Sequence, residues 1–257
     1  MTSSLNAPRR HLGLSGAVNL RDIGGYSKVG GGRTRFGRVY RSDSLAELTD
    51  DDVQRVAELG LSAICDLRHS SERATKPNRS LPGLLPTLHE IGFLPHRAHE
   101  MVSAAREPGA SAEAMRDDIR ETYRRFVNQD YGVFREFLEI ILQPRSLPLL
   151  VHCTSGKDRT GMAIAILLMA IGIPDSIIME DYLLSNQYRR DLAYLAGSEV
   201  PSELLDVMME VHPSYIAASL EEMDRHWGSR EEFLTVGLGL CGTKRAQLMQ
   251  LLVDPDA

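Results

Sequence analysis

Leu147-Pro148-Leu149-Leu150-Val151-His152-Cys153-Thr154-Ser155-Gly156-Lys157-Asp158-Arg159-Thr160-Gly161 leads directly into an apolar stretch over 162–173. The run from Leu147 to Cys153 is short and apolar and reads as a buried strand. The apolar stretch is twelve residues long, too short to span a bilayer, and reads as a buried helix. Strand, small-residue loop and helix in that order predict an α/β protein with the loop exposed between two buried elements.

The loop carries the chemistry. Cys153 and Arg159 lie six positions apart and bracket Thr154, Ser155, Gly156, Lys157 and Asp158. Backbone N–H groups of such a loop, together with the positive end of the following helix, make a cradle for a tetrahedral dianion. An arginine there grips two phosphate oxygens with its planar fork. The same positive field favours a cysteine thiolate, which at the bottom of a phosphate cradle is placed for in-line attack on phosphorus.

Outward from this segment the chain alternates short strands and helices. Residues 14–40 are glycine-rich, and the triple glycine at 30–32 predicts a tight turn. Thr49 before Asp50, Asp51 and Asp52 marks a helix start. Residues 61–67 read as a buried strand, residues 69–110 as loop, and 112–128 and 131–142 as amphipathic helices. The portion 175–257 is mostly helical, with segments expected at 176–190, 202–211, 213–227 and 244–252. One domain over 1–257 is the economical organisation.

Composition narrows the partners. The 257 residues hold 29 Lys+Arg and 35 Asp+Glu, a net charge of −6, which argues against coating a nucleic-acid backbone. Three cysteines exclude a disulfide scaffold and suit a reduced compartment. Residues 1–11 lack the apolar core of a secretory signal, so a cytoplasmic protein is expected, a leaderless export route leaving no trace in sequence. No stable membrane insertion is expected, and oligomeric state is not legible.

The run His152–Gly161 resembles the signature loop of cysteine-dependent protein tyrosine and dual-specificity phosphatases, and its Lys-Asp-Arg variant resembles a bacterial branch of them. Asn19-Leu20-Arg21-Asp22-Ile23-Gly24-Gly25, Tyr40-Arg41-Ser42, Asp66-Leu67-Arg68, Asp181-Tyr182-Leu183-Leu184-Ser185-Asn186 and Gly237-Leu238-Gly239-Leu240 extend the resemblance along nearly the whole chain. It implies a central, mostly parallel sheet flanked by helices, a cysteinyl-phosphate intermediate, no metal and no cofactor. It also implies phosphotyrosine substrates, often phosphoserine or phosphothreonine and phosphoinositides, and a helical lid, which would fall at 93–130.

Cys153 is then the expected nucleophile and Arg159 the phosphoryl grip, with 154–160 lining the phosphate site. Thr160 is either a hydrogen-bond donor to the departing Cys153 sulfur or a helix-start hydroxyl; His152 braces the loop. The general acid has two candidates. Many tyrosine phosphatases place an aspartate after a tryptophan, but no aspartate follows Trp227, the one tryptophan here. Asp66, at a strand end, is supported by position and by the resemblance; Asp158, inside the loop, is its rival. Asp66 alternatively pairs with Arg68. Lys157 supplies a second cation, which keeps a phosphoinositide or inositol phosphate substrate open, and a silent phosphate-binding module is the remaining alternative.

Three further features weigh less. Arg116, Arg120 and Arg124 form either a substrate-facing stripe or a solvated face paired with Glu113, Asp117 and Glu121. His96, His99 and Glu100 lack the further ligands a metal site would need. Cys65 reads as a buried structural thiol.

Overall fold

A computed structural model of the protein describes residues 10–98, 100–190 and 200–255. His99 and residues 1–9, which bear on the metal and targeting readings, lie outside that set. Strand β6 (Leu149–His152) is central because both its neighbours and both its faces are covered. Its partners are β3 (Val39–Ser42) and β4 (Ala63–Asp66), each parallel to it. The edges are β1 (Arg21–Asp22), antiparallel to β3, and β5 (Thr87–Glu90), parallel to β4, so the order is β1-β3-β6-β4-β5, while β2 (Arg33–Thr34) pairs antiparallel with β7 (Val253–Asp254) in a separate two-stranded sheet. The mostly parallel α/β sheet expected from sequence is present. In register, Ser42 and Asp66 both face His152 across the sheet, so Cys153 leaves it at the carboxyl edge of the parallel strands. That edge is where open α/β sheets place ligands.

Alternation along the strands divides two cores. Ala63, Cys65, Leu149 and Val151 point into the larger one, under α4 (Ala112–Asn128), α5 (Tyr131–Leu142) and α6 (Arg159–Ala170). Ile64 and Leu150 point the other way, against Val53 and Val56 of α1 (Asp50–Ala57). The predicted start of α1 is confirmed by a reciprocal cap: Thr49 accepts from the Asp52 N–H, and Asp52 accepts from that of Thr49. Beyond α6 come α7 (Asp175–Leu183), α8 (Ser202–Met209), α9 (Pro213–Trp227) and α10 (Gly242–Leu252). The helix expected over 176–190 is shorter: after α7 one 3-10 turn, Leu184–Asn186, closes it.

The segment 69–110 holds more structure than its composition suggests. It contains α2 (Ser70–Thr75), β5 and α3 (Met101–Ala104). Each is too short to show a period, and β5 is an edge strand with Thr87, Leu88 and Glu90 exposed, so it has no buried face to read. The turn at 30–32 is as expected, all three glycines having positive φ. No helix among the described residues is long and apolar enough to cross a membrane.

Candidate active site

The loop 153–158 is held by backbone contacts that only its small residues permit. Gly156 has φ +69°, and a Cβ there would lie 2.6 Å from the Ser42 carbonyl oxygen. The tight turn brings the Gly156 N–H to 3.3 Å from Cys153 Sγ. Cys153 itself is buried. Just past β3, the Ser44 N–H donates to the Thr154 carbonyl (3.0 Å), and Asn19 Nδ2, ahead of β1, donates to that of Ser155 (3.2 Å). Beyond the loop, α6 begins at Arg159 with Asp158 as its N-cap, so its unpaired first-turn N–H groups border the loop.

Under the loop lies a buried charge cluster built from the sequence runs around Arg21, Arg41 and Asp181. Asp181 Oδ1 accepts from Arg21 Nε (3.1 Å) and Tyr26 OH (2.9 Å), and its Oδ2 from Arg41 (2.5 Å). Arg41 donates its other terminal nitrogen to the Gly156 carbonyl at 2.8 Å. Burial alone would raise the Asp181 pKa, but the two guanidinium charges outweigh it and hold the carboxylate far below its usual range. Two cations share one anion, leaving a surplus positive charge beneath the phosphate cradle.

Arg159 is fixed by a residue that sequence reading missed. Glu72 of α2 binds it through both carboxylate oxygens, at 2.6 and 2.8 Å, and also accepts from the Thr154 hydroxyl at 2.5 Å. The Leu67 and Phe93 carbonyls accept from the same guanidinium at 3.0 Å each. This fixes the fork's plane before any substrate arrives. The available signal was the capping pattern His69–Glu72, which starts a helix at the end of β4.

Asp66 does end its strand beside the loop, yet its geometry departs from the expectation of a proton donor. It is fully buried and does not border the cavity containing Cys153. Its Oδ1 accepts from the Arg68 N–H (3.0 Å) and Nε (2.9 Å), and its Oδ2 from Arg68 (2.6 Å) and Asn78 Nδ2 (3.1 Å). Burial opposes ionisation, but the hydrogen bonds and charge of Arg68 prevail and lower its pKa. The paired reading with Arg68 is the one the structure contains.

Asp158 does line the cavity, with Cys153, Lys157 and Arg159. Its Oδ1 accepts from Tyr123 OH at 2.9 Å, and Lys157 Nζ lies 2.9 Å from its Oδ2. Lys157 also donates to the Glu210 carbonyl (3.2 Å). Thr160 Oγ1 is buried and has no hydrogen-bond partner among the described residues.

His152 is wholly buried, and its tautomer follows from its partners. Nδ1–H donates to the Cys153 carbonyl (3.2 Å), and Nε2 accepts from Asn78 (3.2 Å). Burial brings its pKa down to about 4, against a smaller upward pull from Asp66, so the ring is neutral. Glu72 is down to about 2, since the bonds and charge of Arg159 exceed the upward push of burial. Both groups bind protons more weakly folded than unfolded. Stability is therefore expected to fall as the pH drops from 6.5 towards 4, through His152, and further from 4.5 towards 2, through Glu72. Each contributes on the order of 3 kcal/mol in full. Urea denaturation at pH 7.5, 5.5 and 4 checks this; a midpoint unchanged between 7.5 and 5.5 would contradict a neutral His152.

The cavity has a volume of about 260 Å³. Its walls come from both sides: Met101 and Ile119 from the 93–130 segment, and Leu205 and Met208 from α8. The second wall was not legible in sequence. Helix α4 is also a core helix, with Tyr123, Phe126 and Val127 fully buried. The arginine stripe is paired: Arg120 with Glu113 and Asp117, Arg124 with Glu121, and Arg116 with Glu210 of the opposite wall. Cys65 is buried, and desolvation pushes its thiol pKa upward. Among the described residues, no group of three or more His, Cys, Asp or Glu side chains is arranged to hold a metal ion.

Comparison with known proteins bears on this geometry. A tyrosine-protein phosphatase by name, from Cupriavidus necator, is 33% identical over 234 residues, covering 88% of this chain and 83% of that protein. The triple specificity protein phosphatase PtpB of Mycobacterium tuberculosis is 28% identical over 261 residues, covering 86% and 91%. Among solved structures, the core catalytic domain of a PP-IP phosphatase from S. cerevisiae overlays loosely, with a TM-score of 0.34 at 17% identity, covering 76% of this chain and 89% of that one. The model of the tyrosine phosphatase family matches residues 12–254, and the chain belongs to that family.

Proposed function

We propose that the protein hydrolyses phosphotyrosine, with phosphoserine and phosphothreonine as further substrates, through a cysteinyl-phosphate on Cys153. The observation that carries this reading is the pairing of Cys153 and the Glu72-fixed Arg159 at the base of a cavity with apolar walls. Apolar walls suit an aryl ring, and the loop suits the phosphate beneath it. The Cys153 thiolate attacks phosphorus; the bond from phosphorus to the ester oxygen breaks, and Asp158 gives that oxygen a proton. Water then attacks the thiophosphate, Asp158 takes its proton, and Cys153 departs as thiolate. Arg159 holds the equatorial oxygens throughout, and the surplus charge under the loop favours every anionic state. Thr160, unpartnered and buried, is available to donate to the departing sulfur.

Asp158 is the acid in this reading because it borders the cavity, whereas Asp66 is buried in its ion pair. Asp158→Asn is expected to slow hydrolysis of phenyl phosphate by about 10²-fold or more and of p-nitrophenyl phosphate far less, since only the poor leaving group needs a proton. Asp66→Asn is expected to lower stability without that bias. Equal losses on both substrates for Asp158→Asn would remove it from the role. Lys157 at the cavity mouth favours a second substrate class, phosphoinositides or inositol phosphates, whose extra phosphates need a second cation. Parallel turnover of phosphotyrosine peptide, phosphoserine peptide and phosphoinositide vesicles ranks the classes. Phosphopeptide binding without turnover would instead favour a silent binding module.

A further inference from the structure

Asp158 is gripped from outside the loop by a chain of phenols. Tyr123, on α4, places its hydroxyl 2.9 Å from Asp158 Oδ1 and 2.7 Å from the hydroxyl of Tyr182, on α7. Tyr123 has one hydroxyl proton, and an ionised carboxylate can only accept. Tyr123 therefore donates to Asp158, and Tyr182 donates to Tyr123. Both rings are buried, and the Tyr123 backbone is itself tied to α9, its carbonyl accepting from Ser219 Oγ at 2.8 Å. The hydroxyl thus has little freedom to follow Asp158 elsewhere.

We infer that Tyr123, backed by Tyr182, is a positioning residue for the catalytic proton transfer: it holds Asp158 Oδ1, to which Lys157 also donates at 3.1 Å, and so turns Oδ2, the oxygen beside Lys157 Nζ, to carry the proton into the cavity. The inference rests on Asp158 as the general acid. The groups facing Asp158 are Tyr123 from α4, Tyr182 from α7, the Tyr215 ring from α9, and Lys157 and Arg159 from its own segment. Desolvation, followed by the Asp158 charge, pushes the Tyr123 and Tyr182 phenols well above their usual range, so both stay protonated donors. Losing the Tyr123 hydroxyl loosens the aim of Oδ2.

Tyr123→Phe and Tyr182→Phe test this in the full chain, with kcat/KM measured on phenyl phosphate and p-nitrophenyl phosphate. Tyr123→Phe is expected to lose about 10-fold on phenyl phosphate and less than about 3-fold on p-nitrophenyl phosphate, as for a weakened proton donor. Tyr182→Phe should show a smaller loss with the same leaving-group bias. In an Asp158→Asn background, Tyr123→Phe should cost nothing further. Equal losses on the two substrates, or a full loss persisting beside Asp158→Asn, would reduce Tyr123 to packing and overturn the inference. If Asp158→Asn itself shows no leaving-group bias, the assignment of Asp158 falls and this inference falls with it. A biased Asp158→Asn beside an unbiased Tyr123→Phe sinks the tyrosine alone.

Discussion

Cys153→Ser is expected to reduce turnover of p-nitrophenyl phosphate by at least about 10⁴-fold, because removing a nucleophile removes the covalent route. The fold should persist. Serine is close to cysteine in size, and its hydroxyl can accept the Gly156 N–H that now points at Sγ. The phosphate grip should persist too, since Arg159 is fixed by Glu72 and by the Leu67 and Phe93 carbonyls, which lie just past β4 and β5, and none of these bonds uses position 153. The variant should therefore bind inorganic phosphate or a phosphotyrosine peptide while failing to release product. Calorimetric titration and a thermal melt beside the activity assay check both halves. Residual activity within 10²-fold of the unmodified protein would exclude Cys153 as nucleophile. Alkylation should agree, since Cys65 is buried in the core away from the cavity with its thiol pushed upward, leaving Cys153, which borders the cavity, and the exposed Cys241 to react. A Cys241→Ser protein that loses activity on reaction with iodoacetate would place the lost function on Cys153.

The parts of the site that lie together in sequence were legible there, and the parts assembled across the sheet were not. Cys153, Arg159 and the loop between them read directly, because strand, turn and helix each carry a local signature. Asp66 shows the limit. Its place at a strand end could be read, but whether its oxygens face a cavity or an arginine depends on Asn78 and Arg68, neither of which the strand pattern constrains. Glu72 was hidden because α2 is six residues long and buries none of them fully, so it has no hydrophobic period. The wall from α8 follows a segment whose distance in sequence gives no hint that Leu205 and Met208 return to the loop. Net charge misled only if taken as uniform. A chain at −6 still concentrates Arg21, Arg41, Lys157 and Arg159 around one loop, while its acids are spread over helix surfaces and inside ion pairs.

Asp181→Ala is expected to be the most damaging single change to stability. The carboxylate neutralises two arginines that are fully buried, and among the described residues no second anion pairs with either of them. Arg21 already shows the strain of the arrangement: desolvation, followed by the Arg41 charge, lowers its pKa. Removing the anion leaves two uncompensated buried cations, a change that costs roughly 3–5 kcal/mol when one partner of a buried pair is deleted. Against a total stability of about 5–15 kcal/mol, that is enough to unfold a substantial fraction at 37 °C. Asp181→Asn separates charge from shape. The amide can still accept from Arg21 and Tyr26, but it cannot neutralise either arginine. If the cluster is held electrostatically, the amide variant should lose at least half as much as alanine. Activity should fall with it, because Arg41 carries the Gly156 carbonyl and so fixes the turn that aims an N–H at Cys153. A denaturation midpoint for Asp181→Asn matching the unmodified protein would mean that hydrogen bonding alone holds the cluster. The surplus charge assigned to the underside of the loop would then need another source.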